Sequence, residues 1–192
     1  MKKTRGKPFF HPQSLVDRGA RVGGGTRVWA FAHVMAGAVV GADGNVGDHS
    51  FVESGARLGD RVTLKNGVSV WDGVTVEDDV FIGPNAAFTN DPRPVSRRQN
   101  PFVPTLLKKG ACVGANATVV CGVTVGRYAF VGAGAVVTRD LPDHSLAYGN
   151  PARVQGYACE CRAALVFRSG RAACRACGLR FRKTGASVRR AS

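Results

Sequence analysis

The sequence predicts an all-β protein: a parallel β-helix of about six turns with one inserted loop and a small C-terminal appendage. Three observations support this fold class. An apolar residue recurs at every sixth position, a small residue follows each of them four places later, and a single segment interrupts both registers. A helix repeats its apolar face every ~3.6 residues and a flat strand every ~2, so neither ordinary period explains the pattern. Six residues suffice for one short strand and one corner, and three such units make a triangular turn of about 18 residues.

The large apolar register fills the centre of this predicted prism. It runs from Val16 to Phe88 and resumes one place out of phase from Leu107 to Val137. The small register, which begins at Ala20, never exceeds valine in size. Both registers therefore point inward, and the small one suits the tight corners.

Residues 89–106 interrupt the repeat and are predicted to form an inserted loop. This segment holds four prolines and three arginines. Long loops on rigid scaffolds usually carry function, although a tolerated surface bulge is the alternative. We therefore expect the loop to belong to a functional site.

The rest of the chain divides around this repeat. We expect a disordered basic arm over residues 1–8, the β-helix domain over 9–156, a cysteine module over 157–182 and a flexible basic tail over 183–192. No apolar stretch suits a signal peptide or a membrane span, which favours a cytoplasmic protein. The six cysteines are then expected to be reduced or metal-bound.

The net charge of +14 is concentrated near the C-terminus. Residues 151–192 hold ten Lys or Arg against the single acid Glu160, a net +9. A basic tail can bind nucleic acid, but only Phe167 and Phe181 interleave with these charges, so nucleic-acid binding is not the preferred interpretation. There are two alternatives: a solvated basic face, and a positive electrostatic field that attracts a polyanionic small molecule.

Four cysteines within 19 residues predict a structural zinc site. Cys159 and Cys161 form the first pair, which is one residue tighter than the usual C-x-x-C, and Cys174 and Cys177 form the second. Free thiols on a flexible tail are the alternative. Four thiolates leave no open coordination position, so catalytic zinc is not expected.

Several six-residue units share one composition: an aliphatic residue, a glycine, two free residues, a small residue and a last free one. Residues 40–45, 46–51 and 113–118 are examples. This pattern resembles the hexapeptide-repeat acyltransferase family. The resemblance implies a left-handed parallel β-helix; the handedness comes from the family and not from the period.

Longer strings give a closer resemblance. Residues 28–35, 73–84, 88–90 and 110–140 are similar to the nucleotide-linked amino-sugar N-acetyltransferases, most of all to the UDP-2-acetamido-3-amino-2,3-dideoxy-glucuronate N-acetyltransferases. The resemblance implies acetyl transfer from acetyl-CoA to a sugar 3-amino group, for bacterial surface polysaccharide. It also implies a homotrimer with active sites between subunits. A dTDP-linked 3-amino sugar is the alternative substrate.

The same resemblance suggests roles for several residues near the loop. Asn90, in a Phe-Thr-Asn string, would orient the attacking amine, and Arg93 would face an anionic substrate. Asn66 lies in another family string and is expected to bind substrate. Glu53 departs from the family pattern; it would hold the substrate ammonium or be a solvated corner.

Acetyl-CoA is expected to bind along the last turns. Backbone amides at Ala115 and Ala133 would hold the pantetheine arm. Arg139 and Arg153 would bind the coenzyme phosphates, because the arginine fork matches phosphate oxygens.

The histidines favour an amine acceptor over a hydroxyl. A sugar hydroxyl needs a general base, usually histidine, yet none lies between His49 and His144. An amine attacks a thioester once it has lost its proton, so the site need only bind and orient it. His33 is the one candidate base, and a structural hydrogen-bonding role is its alternative.

Two other functions occur as alternatives. Carbonic anhydrase on this fold requires several zinc-binding histidines at set spacings, and the four histidines here are scattered. A non-enzymatic scaffold, whose zinc tail binds nucleic acid or a protein partner, is the alternative from a different class.

Overall fold

The computed structural model describes residues 6–98 and 100–191, and it is all-β over both ranges. The predicted fold class, a parallel β-helix with a C-terminal appendage, is confirmed. Positions 1–5 of the predicted basic arm lie outside the described residues. Residues 6–8 precede the first strand, and the Gly6 carbonyl accepts a hydrogen bond from the Gly25 N–H at 2.8 Å.

Most strands are only two residues long, as a six-residue repeat requires. In chain order they are β1 Phe9–Phe10, β2 Leu15–Val16, β3 Arg21–Val22, β4 Arg27–Val28, β5 His33–Val34, β6 Val39–Val40, β7 Asn45–Val46, β8 Phe51–Val52, β9 Arg57–Leu58, β10 Thr63–Leu64, β11 Ser69–Val70, β12 Val74–Val76, β13 Phe81–Ile82, β14 Ala87–Phe88, β15 Thr105–Leu107, β16 Cys112–Val113, β17 Thr118–Val119, β18 Thr124–Val125, β19 Phe130–Val131, β20 Val136–Val137, β21 Ser145–Tyr148, β22 Arg153–Ala158, β23 Ala164–Leu165, β24 Arg171–Ala173, β25 Arg180–Thr184 and β26 Ser187–Arg190.

The strands stack into three parallel faces. The first face has the order β1-β4-β7-β10-β13-β16-β19-β21, the second contains β2-β5-β8-β11 followed by β14-β17-β20, and the third is β3-β6-β9-β12-β15-β18. Before the loop, paired residues are 18 positions apart, as for Thr63 and Phe81. The structure has about eight turns, not six, because strands are added to the first face at both ends: β1 lies one repeat before Val16, and β21 lies outside the six-residue register.

The two inward registers form one continuous core, as expected. Leu64, Ile82 and Leu107 of the large register are fully buried, and so are Ala38 and Ala111 of the small one. Turns approach closely at the first position of each corner. A Cβ atom on Gly83, for example, would lie 2.6 Å from the backbone nitrogen of Ala115 on the next turn. This contact explains why glycine so often follows the aliphatic residue.

The inserted loop leaves and re-enters the prism at one corner. Its return is earlier than predicted: Thr105 and Leu106 already pair with β12, so the loop covers residues 89–104. The Val103 N–H donates to the carbonyl of Asn90 at 2.9 Å and closes the neck of the loop. Phe102 and Pro104 lie beside Gly73, where a Cβ would be in ordinary contact with both. The loop is therefore anchored on the scaffold at Asn90.

The C-terminal residues form a small module on the side of the prism. Strands β22 and β23 continue the first face in antiparallel pairing, and β24, β25 and β26 form a separate antiparallel sheet. A flexible tail was expected over residues 183–192. In the structure, residues 183–190 instead complete β25 and form β26. Val188 is buried with Phe181 in the module's own core, which gives the last strand a reason to pair.

The module contacts the β-helix through His144. The imidazole stacks on Tyr128 of the prism at a centroid distance of 5.4 Å and meets the Phe181 ring edge-on at 5.1 Å. Burial lowers the pKa of His144, so the neutral form is favoured. Arg162 adds a hydrogen bond to the Gly110 carbonyl at 2.6 Å.

Candidate active site and metal centre

The residues that follow the second face form one column of corner groups, here called the second corner. Successive turns place Glu53, Asp72 and Asn90 in this column. The Asn90 side-chain amide donates to the Asp72 carbonyl at 3.5 Å, and the Asp72 N–H donates to a Glu53 carboxylate oxygen at 2.8 Å. All three are half-buried. Asn90 therefore presents a side-chain amide held by the backbone carbonyl of the preceding turn, directly at the neck of the loop.

His33 lies on the same side of the prism but several turns away. Its Nε2 is 3.1 Å from a carboxylate oxygen of Asp17, and its ring meets Phe51 edge-on at 5.5 Å. Three strand spacings separate β5, which carries His33, from β14, which precedes Asn90. At about 4.8 Å per spacing this is about 14 Å. Within one chain, the two predicted catalytic residues are therefore too far apart to contact the same reacting atom.

The residues that follow the first face form the first corner, and it holds Asn66, Ala115 and Ala133. Ala115 and Ala133 stack on consecutive turns, since the Gly134 N–H donates to the Ala115 carbonyl at 2.9 Å. Within residues 6–98 and 100–191, no acceptor is found for the N–H of Ala115 or of Ala133.

On the turn of Ala115, the equivalent positions on the other two corners have acceptors. Thr89 Oγ1 accepts from the Cys121 N–H at 2.9 Å, and an Asp143 carboxylate oxygen accepts from the Arg127 N–H at 2.8 Å. The first corner therefore offers a ladder of backbone donors that its own side chains do not use. This arrangement suits the amide and carbonyl groups of an extended ligand.

The three predicted anion-binding arginines are all exposed. Arg139 ends the second corner on the last turn. Arg153 begins β22 next to Ala152, whose N–H donates to the Val136 carbonyl at 2.8 Å, so it lies beside the last strand of the second face. Arg93 is held in the loop by its backbone: its N–H donates to Asp91 and its carbonyl accepts from Asn100.

The predicted site residues thus divide between two corners on either side of the second face. Ala133 and Arg139 are six positions apart, up to about 20 Å if extended. Sequence reasoning missed Asp72 and Asp17, which contact Asn90 and His33 respectively. The 18-residue register could have identified Asp72, because this residue lies one turn before Asn90.

The four predicted metal ligands converge in the C-terminal module. The sulfur atoms of Cys159, Cys161, Cys174 and Cys177 lie within 4.8 Å of one another, and none is in a disulfide. The closest pairs, Cys159–Cys177 and Cys161–Cys174, are 3.4 and 3.5 Å apart. Tetrahedral zinc with Zn–S bonds of about 2.3 Å requires sulfur separations of about 3.8 Å. The cluster therefore matches the size of a metal site.

The thiols of this cluster also differ in acidity. Burial raises the pKa of Cys159 to about 12. Burial opposes ionisation of Cys174 as well, but backbone N–H donors of Cys177 and Ala176 outweigh it and lower its pKa to about 6. Donors directed at a sulfur favour the thiolate form that a metal binds.

Comparison with known proteins identifies the family. Residues 37–71 match the model of the hexapeptide repeat of succinyl-transferase, and residues 104–139 match the bacterial transferase hexapeptide (six repeats). A dTDP-3-amino-3,6-dideoxy-alpha-D-galactopyranose 3-N-acetyltransferase from Aneurinibacillus thermoaerophilus is 48% identical over 175 residues, which cover 91% of this chain and 90% of that protein. The chain belongs to the hexapeptide-repeat sugar N-acetyltransferases.

Solved structures agree with this family. A variant of perosamine N-acetyltransferase from Caulobacter crescentus, in complex with CoA and GDP-perosamine, is 27% identical with a TM-score of 0.54 and covers 79% of this chain. The acetyltransferase domain of PglB from Neisseria gonorrhoeae, in complex with acetyl coenzyme A, is 26% identical with the same TM-score and coverage. The chain spans 58% and 59% of those two chains.

Family membership confirms the prediction of an acetyl-CoA-dependent N-acetyltransferase. The sugar predicted from the resemblance, a UDP-linked glucuronate derivative, differs from the sugar named for the 48% identical relative. No helix able to cross a lipid bilayer occurs in the part of the chain that is described, residues 6–98 and 100–191.

Proposed function

We propose that this protein transfers acetyl from acetyl-CoA to the 3-amino group of a dTDP-linked 3-amino-3,6-dideoxyhexose. The observation that carries the proposal is the 48% identity to an enzyme of that name, sustained over 90% of its length. UDP-2-acetamido-3-amino-2,3-dideoxy-glucuronate, which the longer sequence strings favour, is the second candidate.

In the proposed reaction, Asn90 orients the sugar amine at the neck of the loop. The amine nitrogen attacks the thioester carbonyl, the C–S bond breaks, and CoA leaves as its thiolate. Asp72 lies one turn before Asn90 in the same column, and its carboxylate accepts the Gly73 N–H at 2.7 Å, so this carboxylate is assigned to hold the ammonium form and to accept its proton. Orientation and desolvation by such groups supply much of the rate enhancement in amine acylation.

We propose a homotrimer, because the two halves of the site lie on different corners of one chain. The unused N–H groups of Ala115 and Ala133 would bind the pantetheine arm, with Arg139 and Arg153 near the phosphates. The second corner of a neighbouring copy would bring Asn90 and its loop to the thioester. Such an arrangement explains why one chain separates the donor groups from the amine-orienting groups by a whole face.

We propose Zn²⁺ for the four-cysteine cluster. Four thiolates at tetrahedral spacing are the donor set of closed structural zinc sites. The metal would hold the module together and would take no part in acetyl transfer.

The test of the function is thiol release from acetyl-CoA with a panel of acceptors. The panel holds dTDP- and UDP-linked 3-amino sugars, with the matching 3-hydroxy sugars as controls. We expect release with the dTDP-linked 3-amino-3,6-dideoxyhexose and none with its hydroxyl counterpart. Release with the UDP-linked uronate alone would replace the sugar but keep the reaction. Silence with every amine, from folded trimer, would contradict the proposed function.

Arg93 separates the two sugar candidates. Its guanidinium forms no ion pair among the described residues, so it is available to a substrate carboxylate. With a neutral 6-deoxy sugar, Arg93→Ala is expected to change kcat/KM by less than about threefold. With a uronate it should raise KM by about 10-fold or more, because a charge-assisted contact is worth ~1.5–3 kcal/mol. A large loss with the neutral sugar would mean that Arg93 contacts the nucleotide instead.

A further inference from the structure

Four exposed arginines form one continuous row across the C-terminal module. Arg171 stands directly opposite Arg182 in the β24–β25 pair, and Arg182 stands opposite Arg189 in the β25–β26 pair. An isolated bridge places Arg168 opposite Arg171. Directly opposed residues point to the same side of a sheet and lie about 5 Å apart. The row Arg168–Arg171–Arg182–Arg189 is therefore about 15 Å long.

This row carries an electrostatic cost that the module does not offset. Like charges directly opposite one another destabilise a sheet. Residues 161–192 contain no Asp or Glu. Glu160 pairs with Arg190, which is outside the row, at 3.8 Å. Within residues 6–98 and 100–191, none of the four arginines in the row forms an ion pair. An external anion is the remaining source of compensation.

The surface around the row is polar and basic. Ala173, Arg180 and Thr184 lie on the same side of the sheet, by strand alternation, whereas Phe181 and Val188 face the module's core. Arginines of the row line two shallow clefts, of ≈ 420 Å³ and ≈ 660 Å³, on either side of Arg182. Phe181 lines the first of these clefts but is 1% exposed, so among the described residues of this side no exposed aromatic ring is available to stack on a base. Recognition here is limited to phosphates.

We propose that the arginine row binds the phosphate backbone of duplex nucleic acid, without reading its sequence. The guanidinium fork matches phosphate oxygens in a way that lysine does not. A diphosphate would engage only two of the four arginines, whereas a backbone supplies a repeating charge along the whole row. The sparse aromatic residues of the sequence disfavour single-stranded or base-specific binding, but phosphate contacts to a duplex do not need them. This binding is separate from acetyl transfer.

The test measures fluorescence anisotropy of a short labelled DNA duplex of mixed sequence with the purified protein. Four phosphate contacts predict that log K falls with log salt at a slope of about −3.6. Raising NaCl from 50 to 200 mM should therefore weaken binding roughly 100-fold. A scrambled duplex should bind equally well. The triple variant Arg171→Ala/Arg182→Ala/Arg189→Ala should reduce the slope by about 2.7 and weaken binding at least 10-fold.

A matched triple variant on the prism, Arg21→Ala/Arg27→Ala/Arg57→Ala, removes the same charge from exposed positions elsewhere. It should keep more than half of the affinity. An equal loss in both variants would mean that net charge, not the row, binds DNA and would overturn the proposal. So would tighter binding of an acidic polysaccharide than of DNA at equal charge, or no binding at 50 mM NaCl. Unchanged metal content and thermal midpoint of the row variant exclude misfolding as the cause of its loss.

Discussion

Asn90→Ala is expected to lower kcat for acetyl transfer at least 100-fold while the β-helix stays folded. Among the described residues the side-chain amide makes one hydrogen bond, to the Asp72 carbonyl at 3.5 Å, so the variant removes the proposed amine-orienting group at little cost to the fold. Misplacement of a reacting group by about 1 Å costs about 100-fold. The loop should keep its position, because the Asn90 carbonyl still accepts from the Val103 N–H. Steady-state thiol release and the thermal midpoint measure the two effects.

His33→Gln is the informative comparison for this variant. His33 lies about 14 Å from the Asn90 layer of its own chain, three strand spacings away. We therefore expect a loss in kcat of less than about 10-fold, from altered packing against Phe51 and Asp17, since a lost general base costs ~100-fold or more. The opposite ranking, with His33→Gln inactive and Asn90→Ala active, would reassign the reacting centre to the Asp17–His33 pair of a neighbouring subunit.

The β-helix itself was predictable because its core residues recur in the sequence at a fixed period of six. Every interior position from Val28 onward in the large register is buried as the sequence implies. The number of turns was underestimated for a physical reason. Phe9–Phe10 pair in register one repeat before Val16, whereas Ser145–Tyr148 pair out of register through backbone hydrogen bonds, which need no six-residue pattern. A count from Val16 to Val137 therefore omits the strands at both ends.

The candidate site was only partly predictable from sequence. The 18-residue register is enough to assign Asn90 and Ala115 to different corners, but it does not say which backbone donors lack acceptors. The missing acceptors at Ala115 and Ala133 are visible only in the structure. There they contrast with the N–H groups of Cys121 and Arg127, which donate to side-chain oxygens. The last strand was missed for a similar reason. Residues 187–190 carry arginines on both faces, so the sequence does not single out Val188, the one buried residue that anchors this strand.

Removal of the proposed zinc ion is expected to unfold the C-terminal module and leave the β-helix intact. Two of the module's six buried core residues, Cys159 and Cys174, belong to the thiol cluster, and the rest of that core is Leu165, Ala172, Phe181 and Val188. So small a core does not stabilise a domain of fewer than about 40 residues without a metal or similar cross-link. The prism has its own extensive core and does not depend on the cluster. Purified protein should therefore carry one zinc per chain and unfold in two steps once a chelator has acted.

Cobalt substitution and two cysteine variants measure this effect. Co²⁺ in a four-thiolate site gives intense sulfur-to-metal absorption, and Cys174→Ser should abolish it together with the module's protection from trypsin at Arg168 and Arg175. Cys121→Ser, a buried cysteine on the prism outside the cluster, should change neither. Acetyl transfer by the Cys174→Ser protein should stay within about threefold of the parent, because closed tetrahedral sites leave no position for substrate. Metal-free protein with unchanged protease resistance would identify the cluster as four free thiols.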